Sequence, residues 1–148
     1  AHSNCVGLIF GHEDYLESIR AQDTAESPNL LFARSKVVNS GRANRKVIID
    51  SPYLKLSDTA GCREYAKKSR MTGFDGMLVL HPKQIEEANN GYLPTIEEIK
   101  ESKRIIDIYK KGLEDGKTIQ FVDNTFIAPP IIKSAMNKLN LAKYYKAL

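Results

Sequence analysis

The chain has 148 residues, 42% hydrophobic and 27% charged, with a formal net charge of +4 and an isoelectric point near 9.0. That length suits one domain able to bury about 70% of the surface an unfolded chain exposes, and the composition excludes a disordered or low-complexity protein. The 22 basic residues are interspersed with 18 acidic ones, so the basic stretches 34–46 and 133–146 read as solvated helix faces rather than nucleic-acid footprints, with a modest pull toward anionic ligands such as phosphorylated cofactors.

In chain order, the first apolar run is VGLIF (6–10), followed by the polar turn GHED. Asp14 there is either the cap of a helix starting at Tyr15 or a ligand. Residues 29–43 place Leu30, Leu31, Ala33, Val37 and Val38 on one helical face. A second run, KVIID (46–50), precedes a helix that Ser57 caps and that runs through Ala60, Tyr65, Ala66 and Met71 to Gly73. The third run is FDGMLVL (74–80). None of the three runs alternates, which predicts strands buried on both faces, and their order with the helices predicts a parallel sheet of βαβ units. Beyond it come a short helix over 83–91, a longer one from Pro94-Thr95 through about Leu113, closed by Gly112 and Gly116, an extended piece over 118–128, and a helix from Pro129-Pro130 to near Leu148.

Cys5 and Cys62 belong to no metal-binding or disulfide pattern and fit reduced thiols of a cytoplasmic protein. No run approaches the roughly 18 apolar residues of a membrane span, so no membrane attachment is expected. The opening AHSNCV lacks an initiator Met and enters an apolar strand almost at once, so the chain is expected to begin inside a longer protein.

Each predicted strand ends in polar groups: LIF in GHED, VII in DSPY, LVL in HPKQ. In parallel α/β folds the carboxyl ends of strands share one ligand crevice. Singly, these residues have plainer readings: Glu13 and His12 as solvated turn residues, Asp50 as a turn former before Ser51-Pro52, His81-Pro82 as a strand terminator. Together, two carboxylates without a Cys/His cluster suit Mg²⁺, which keeps several waters and needs only one or two protein carboxylates. GLEDGKT (112–118) is one residue short of a phosphate-binding loop and follows a helix, and no GxGxxG, GxSxG or CxxC occurs. Nucleotide hydrolysis and serine-hydrolase chemistry therefore lack support.

GLIFGHEDYL, FARSKVV, IIDSPYLKLSD, GFDGMLVLHPKQIEEANNGYLPTIEEI and FIAPPIIKSA resemble the second half of the citrate lyase β-subunit-like family of the HpcH/HpaI aldolase superfamily, which includes citryl-CoA and malyl-CoA lyases. The resemblance implies the last three strands of a (β/α)₈ TIM barrel followed by a C-terminal helical extension. The chain is then one partial barrel domain, 1–148, with βα units in 1–82 and a helical region in 83–148. A whole barrel takes roughly 250 residues, so the family's first metal-binding glutamate and its substrate-binding arginine are expected from outside this sequence.

The same resemblance implies a Mg²⁺-dependent carbon–carbon lyase that cleaves or forms a hydroxyacyl-CoA from an acyl-CoA and a 2-oxo acid. Asp14 matches the second metal ligand. The substrate-binding candidates are Gly11, which approaches the oxo-acid carboxylate with no side chain in the way, Glu13 beside the ligand, Asp50 and Tyr53 near the CoA entrance, and His81 in the Ile-His-Pro element. Ala128 stands where the family carries an aspartate for proton transfer, often at the neighbouring subunit's site, and Met77 where it carries a lysine. General-base assistance is worth about 10²–10⁴ in rate, so no catalytic residue is assigned. The alternatives are a divergent or inactive homologue serving as a binding or structural subunit, and an aldolase on free oxo acids. An open parallel edge is expected either to be completed by more chain or to pair with other copies or a partner; a homo-oligomer, trimer or hexamer, is expected, and neither nucleic acid nor membrane is an expected partner.

Overall fold

Parallel strands need a crossover long enough for a helix, and the spacing of the apolar runs provides it. In the computed structural model, which describes residues 4–22, 28–117 and 119–145, β1 (Gly7–Ile9), β2 (Val47–Asp50) and β3 (Gly76–Met77) form a parallel sheet in the order β1-β2-β3. Leu8 lies opposite Ile48, and Asp50 opposite Met77. Between β1 and β2 run α1 (His12–Ser18) and α2 (Pro28–Ala43); α3 (Thr59–Thr72) connects β2 to β3, and α4 (Lys83–Tyr92) follows. The chain divides into two compact units, Ala1–Tyr92 and Leu93–Leu148.

The expectation of strands buried on both faces fails for the sheet of the first unit. Ile48 is fully buried, whereas Ile9 is 63% exposed and Val47 also faces outward. Pleating puts alternate residues of a strand on opposite faces. In this register Leu8, Ile48 and Asp50 share the face covered by helices, and Ile9, Val47 and Ile49 share the other. The core on the covered face joins Ile48 to Phe10, Leu16, Leu30, Ala33, Val38 and Phe74. Each large side chain removed from water there contributes about 1.5–3 kcal/mol. Leu31, expected on the buried face of α2, is exposed.

Local signals explain most helix ends. α3 is capped by Asp58, not Ser57: its carboxylate accepts from the Gly61 N–H at 2.8 Å. It closes on Gly73 in the left-handed region (φ 109°), where a side chain is strained. α1 begins at His12 with Gly11 as its cap, so Asp14 lies inside the first turn rather than capping it. β3 is shorter than FDGMLVL suggests: Leu80 N–H goes to Gln84 Oε1 at 2.9 Å instead of to a neighbouring strand.

In the second unit, α5 (Ile96–Glu114) starts on a capping box in which Thr95 and Glu98 each bond the other's backbone N–H. The stretch expected to be merely extended contains a hairpin, β4 (Phe121–Val122) with β5 (Thr125–Phe126), and its residue 118 lies outside the described residues. Asp123 and Asn124 at the tip both have positive φ, the requirement of a two-residue turn matched to strand twist. Arg104 of α5 grips Asp123 through both guanidinium nitrogens at 2.8 and 2.6 Å. α6 (Pro129–Tyr144) packs Ile132 with Val122 and Ile127, and the end expected near Leu148 lies outside the described residues. Among the described residues no helix is long and apolar enough to cross a membrane.

Candidate functional site

A cleft of about 410 Å³ opens at the carboxyl ends of the three strands. The β1 end contributes residues Gly11 to Asp14, the β2 end Ser51 and Leu54, and the β3 end Leu78. Gly11 caps α1 in extended conformation (φ −96°, ψ 99°) without a side-chain bond. The Asp14 carboxylate folds back over it, with Oδ2 standing 3.1 Å from where a Cβ on Gly11 would lie. Asp14 is exposed to the cleft and has no hydrogen bond or ion pair among the described residues. Glu13 beside it is also exposed, 4.0 Å from His12 Nε2 through Oε1. Two acidic residues in the first turn sit well against the partial positive charge of a helix start.

Beneath the cleft, Ser51 joins the β1 and β2 ends. Its hydroxyl donates to the Phe10 carbonyl at 2.7 Å and accepts from the His12 N–H at 2.9 Å. Its own N–H donates to Asp50 Oδ1 at 2.9 Å. Asp50 does not line the cleft: it is 0% exposed on the helix-covered face of β2. There Asp50 Oδ2 accepts from Arg34 of α2 and, at 2.6 Å, from Ser69 of α3. The Arg34 guanidinium also lies over the rings of Tyr65 and Phe74, at 5.5 and 5.4 Å from their centroids. Burial, reinforced by the Asp50 charge and opposed by Arg34, pushes the Tyr65 hydroxyl well above the ordinary tyrosine range. Burial does the same to Tyr92, whose hydroxyl shares a 2.6 Å hydrogen bond with Ser69. A buried ion with several hydrogen-bonding partners is tolerable where an unpaired one is not.

Tyr53 and His81 are likewise placed outside the cleft lining. The Tyr53 hydroxyl donates to Asp58 Oδ2 at 2.6 Å, which raises the tyrosine's pKa and, with the Gly61 N–H, lowers that of Asp58. His81 Nδ1 accepts from the Lys83 N–H at 3.1 Å, so the neutral ring carries its proton on Nε2. Gln84, 1% exposed, ties the β2 and β3 ends together, donating to the Tyr53 carbonyl at 2.7 Å while holding Leu80 N–H. Met77 pairs with Asp50 in the sheet. Ala128 belongs to the second unit, as the cap of α6 without a side-chain bond.

The structure thus brings Gly11, Glu13 and Asp14 together on one wall and places Asp50, Tyr53 and His81 in the framework behind it. Ser51, Gln84, Arg34, Ser69 and Asp58 were not foreseen. In the sequence Arg34 lies within a basic stretch with the look of a solvated helix face, and Ser51 within an Asp-Ser-Pro turn. Among the described residues no group of three His, Cys, Asp or Glu side chains could hold a metal ion. On the cleft wall, among the described residues, Asp14 offers a free, hard oxygen donor with Glu13 adjacent, and this suits Mg²⁺, which keeps waters and takes one or two carboxylates.

The sequence model of the HpcH/HpaI aldolase/citrate lyase family matches residues 1–82. Citrate lyase subunit beta of Escherichia coli (strain K12) is 27% identical over 143 residues, covering 97% of this chain and 47% of the relative. The mitochondrial citramalyl-CoA lyase of Homo sapiens is 32% identical over 139 residues, covering 94% of this chain and 41% of the relative. The crystal structure of protein CitE from Mycobacterium tuberculosis, in complex with magnesium, acetoacetate and coenzyme A, superposes with a TM-score of 0.83 at 20% identity over 93% of this chain and 52% of that one. The chain spans about half the length of the curated relatives it matches. With a parallel βαβ sheet, a cleft at its carboxyl edge and a match to the family over its first 82 residues, the chain belongs to the HpcH/HpaI aldolase/citrate lyase family.

Proposed function

We propose that the protein is a Mg²⁺-dependent carbon–carbon lyase that cleaves or forms a hydroxyacyl-CoA from an acyl-CoA and a 2-oxo acid. In this reading residues 1–82 form the last three βα units of a (β/α)₈ barrel, 83–148 its C-terminal helical region, and the working molecule is a homo-oligomer. The observation that carries it is the Asp14 carboxylate, unpartnered among the described residues, on the cleft wall beside a bare glycine. The names of the bacterial and human relatives support the reaction class.

Asp14 holds the metal, which when bound polarises the oxo group as a Lewis acid. Gly11 leaves room for the oxo-acid carboxylate, and Glu13 lies within reach of the same space. Ile9, Leu54 and Leu78 give the cleft apolar walls. Asp50, Tyr53 and His81 act in this reading by fixing the loops that shape the cleft and its CoA entrance.

Assay of the intact protein for Mg²⁺-dependent cleavage of 2-hydroxyacyl- and 3-hydroxyacyl-CoA esters tests the proposal; no turnover on any of them by a folded protein sinks it. A second reading, a binding subunit that keeps the metal pocket, is favoured by Ala128, whose methyl group cannot transfer a proton. It predicts metal and ligand binding without turnover.

A further inference from the structure

Asp14 can hold a metal productively only if the short loop from Phe10 to His12 keeps one geometry, and glycine at position 11 makes that loop intrinsically mobile. Besides the Tyr15 N–H to Gly11 carbonyl bond at 3.0 Å that opens α1, three bonds tie it to β2 and the residue after it. Phe10 N–H reaches the Ile49 carbonyl at 2.9 Å as a continuation of the sheet, and the other two both end on one atom, Ser51 Oγ. That oxygen takes the His12 N–H and gives its proton to the Phe10 carbonyl, so it clamps the peptide groups on either side of Gly11. Ser51 is 1% exposed and its own N–H is held by Asp50, which is anchored in turn to α2 through Arg34 and to α3 through Ser69. The clamp is therefore fixed to the core rather than to another loop.

Resting on the reading of Asp14 as a metal ligand, we infer that Ser51 is a positioning residue for that ligand, acting through the backbone of Phe10 and His12 without touching the metal. A buried hydroxyl with both donor and acceptor roles used is costly to replace, and groups that orient metal ligands typically govern about 10- to 100-fold in affinity. Asp50, with the same connection to Arg34, serves the site from behind by holding the Ser51 main chain.

The test is Mn²⁺ binding by the intact protein, followed by electron paramagnetic resonance with Mg²⁺ competition, alongside thermal unfolding. Asp14→Asn is expected to abolish binding. Ser51→Ala is expected to weaken it about 10- to 100-fold, and Ser51→Thr, which keeps the hydroxyl, to restore most of it. Thr95→Ala, which removes the capping hydroxyl of α5 and touches no part of the clamp, is expected to lower the unfolding temperature while leaving Mn²⁺ affinity within about twofold. If Ser51→Ala does not fold, Ser51→Cys, of similar volume but a weak donor and acceptor, takes its place with the same expectation. Wild-type affinity in Ser51→Ala or Ser51→Cys, equal losses in the alanine and threonine variants of Ser51, or an equal loss in Thr95→Ala overturns the positioning role alone. Absence of Mn²⁺ binding in the wild type, or unchanged binding in Asp14→Asn, overturns the metal reading and the inference with it.

Discussion

The Asp14 carboxylate rests against the bare Cα of Gly11, so closely that a methyl group there would stand 3.1 Å from Asp14 Oδ2, inside the 3.4–4 Å of ordinary contact. Gly11 has φ −96°, which alanine also adopts, so Gly11→Ala displaces the carboxylate without straining the backbone. The expected result is an affinity for Mn²⁺ or Mg²⁺ lower by about tenfold with an unfolding temperature within a few degrees of wild type. Titration calorimetry and thermal unfolding check both halves.

Ala128 caps α6 in the extended conformation that favours a capping side chain (φ −79°, ψ 153°), and no side chain does so. Pro130 has no N–H to offer and the Ile131 N–H already donates to the Ala128 carbonyl at 2.9 Å, so an aspartate at 128 would share that donor and act mainly through its charge at the helix start. Ala128→Asp is expected to stabilise the protein by about 0.3–1 kcal/mol, read as a higher urea midpoint. Under the lyase reading it also restores a proton-transfer group, and turnover rises by up to about 10²–10⁴. Stabilisation without any gain in turnover favours the binding-subunit reading.

Tyr65 and Tyr92 keep their protons at a pH where exposed tyrosines ionise. Burial raises both pKa values in the folded state, and a neutral group of that kind contributes stability that is intact below the unfolded value of about 10 and is lost as pH rises beyond it. Phenolate absorbance during alkaline titration should show these two ionising only with unfolding. Tyr65→Phe and Tyr92→Phe should remove amplitude from that late step; loss of amplitude from the early, reversible step would falsify the assignment.

At the acid end, Asp58 is held below the ordinary carboxylate range first by the Tyr53 hydroxyl and then by the Gly61 N–H. A depressed carboxylate contributes stability that is present above its unfolded pKa of about 4 and disappears as pH falls through the lower folded value. Tyr53→Phe removes the larger cause, so the loss should begin at higher pH. Asp58→Asn should remove this group's share of the dependence, leaving those of Glu64, Glu97 and Asp123, whose carboxyls are also lowered. Unfolding temperature measured between neutral and strongly acidic pH distinguishes the three proteins.

Much of this protein is legible in its sequence. Apolar runs separated by helical patterns are local signals, and they placed β1, β2 and the long helices close to where they lie. The polar strand ends and family motifs pointed to Gly11, Glu13 and Asp14, which do share a cleft wall. Errors came where adjacent candidates competed for one role. Ser57 and Asp58 are both good caps, and only the bond from Gly61 N–H separates them. The Asp-Asn hairpin was hidden because its strands are two residues each, too short to carry a period.

Asp50 and Ser51 mark the boundary between the two kinds of knowledge. Composition and motif determine that β2 ends in an aspartate followed by a serine and a proline. They do not determine which of the two faces the cleft, since successive residues of a strand point to opposite sides. The register of β2 against β1 decided it, turning Asp50 inward to Arg34 and Ser69 and setting Ser51 against Phe10, 41 residues away in the chain. A hydrogen bond across that separation exists only once the sheet has formed. The sequence alone therefore identified the wall that carries Asp14, and tertiary structure alone identified what holds that wall in place.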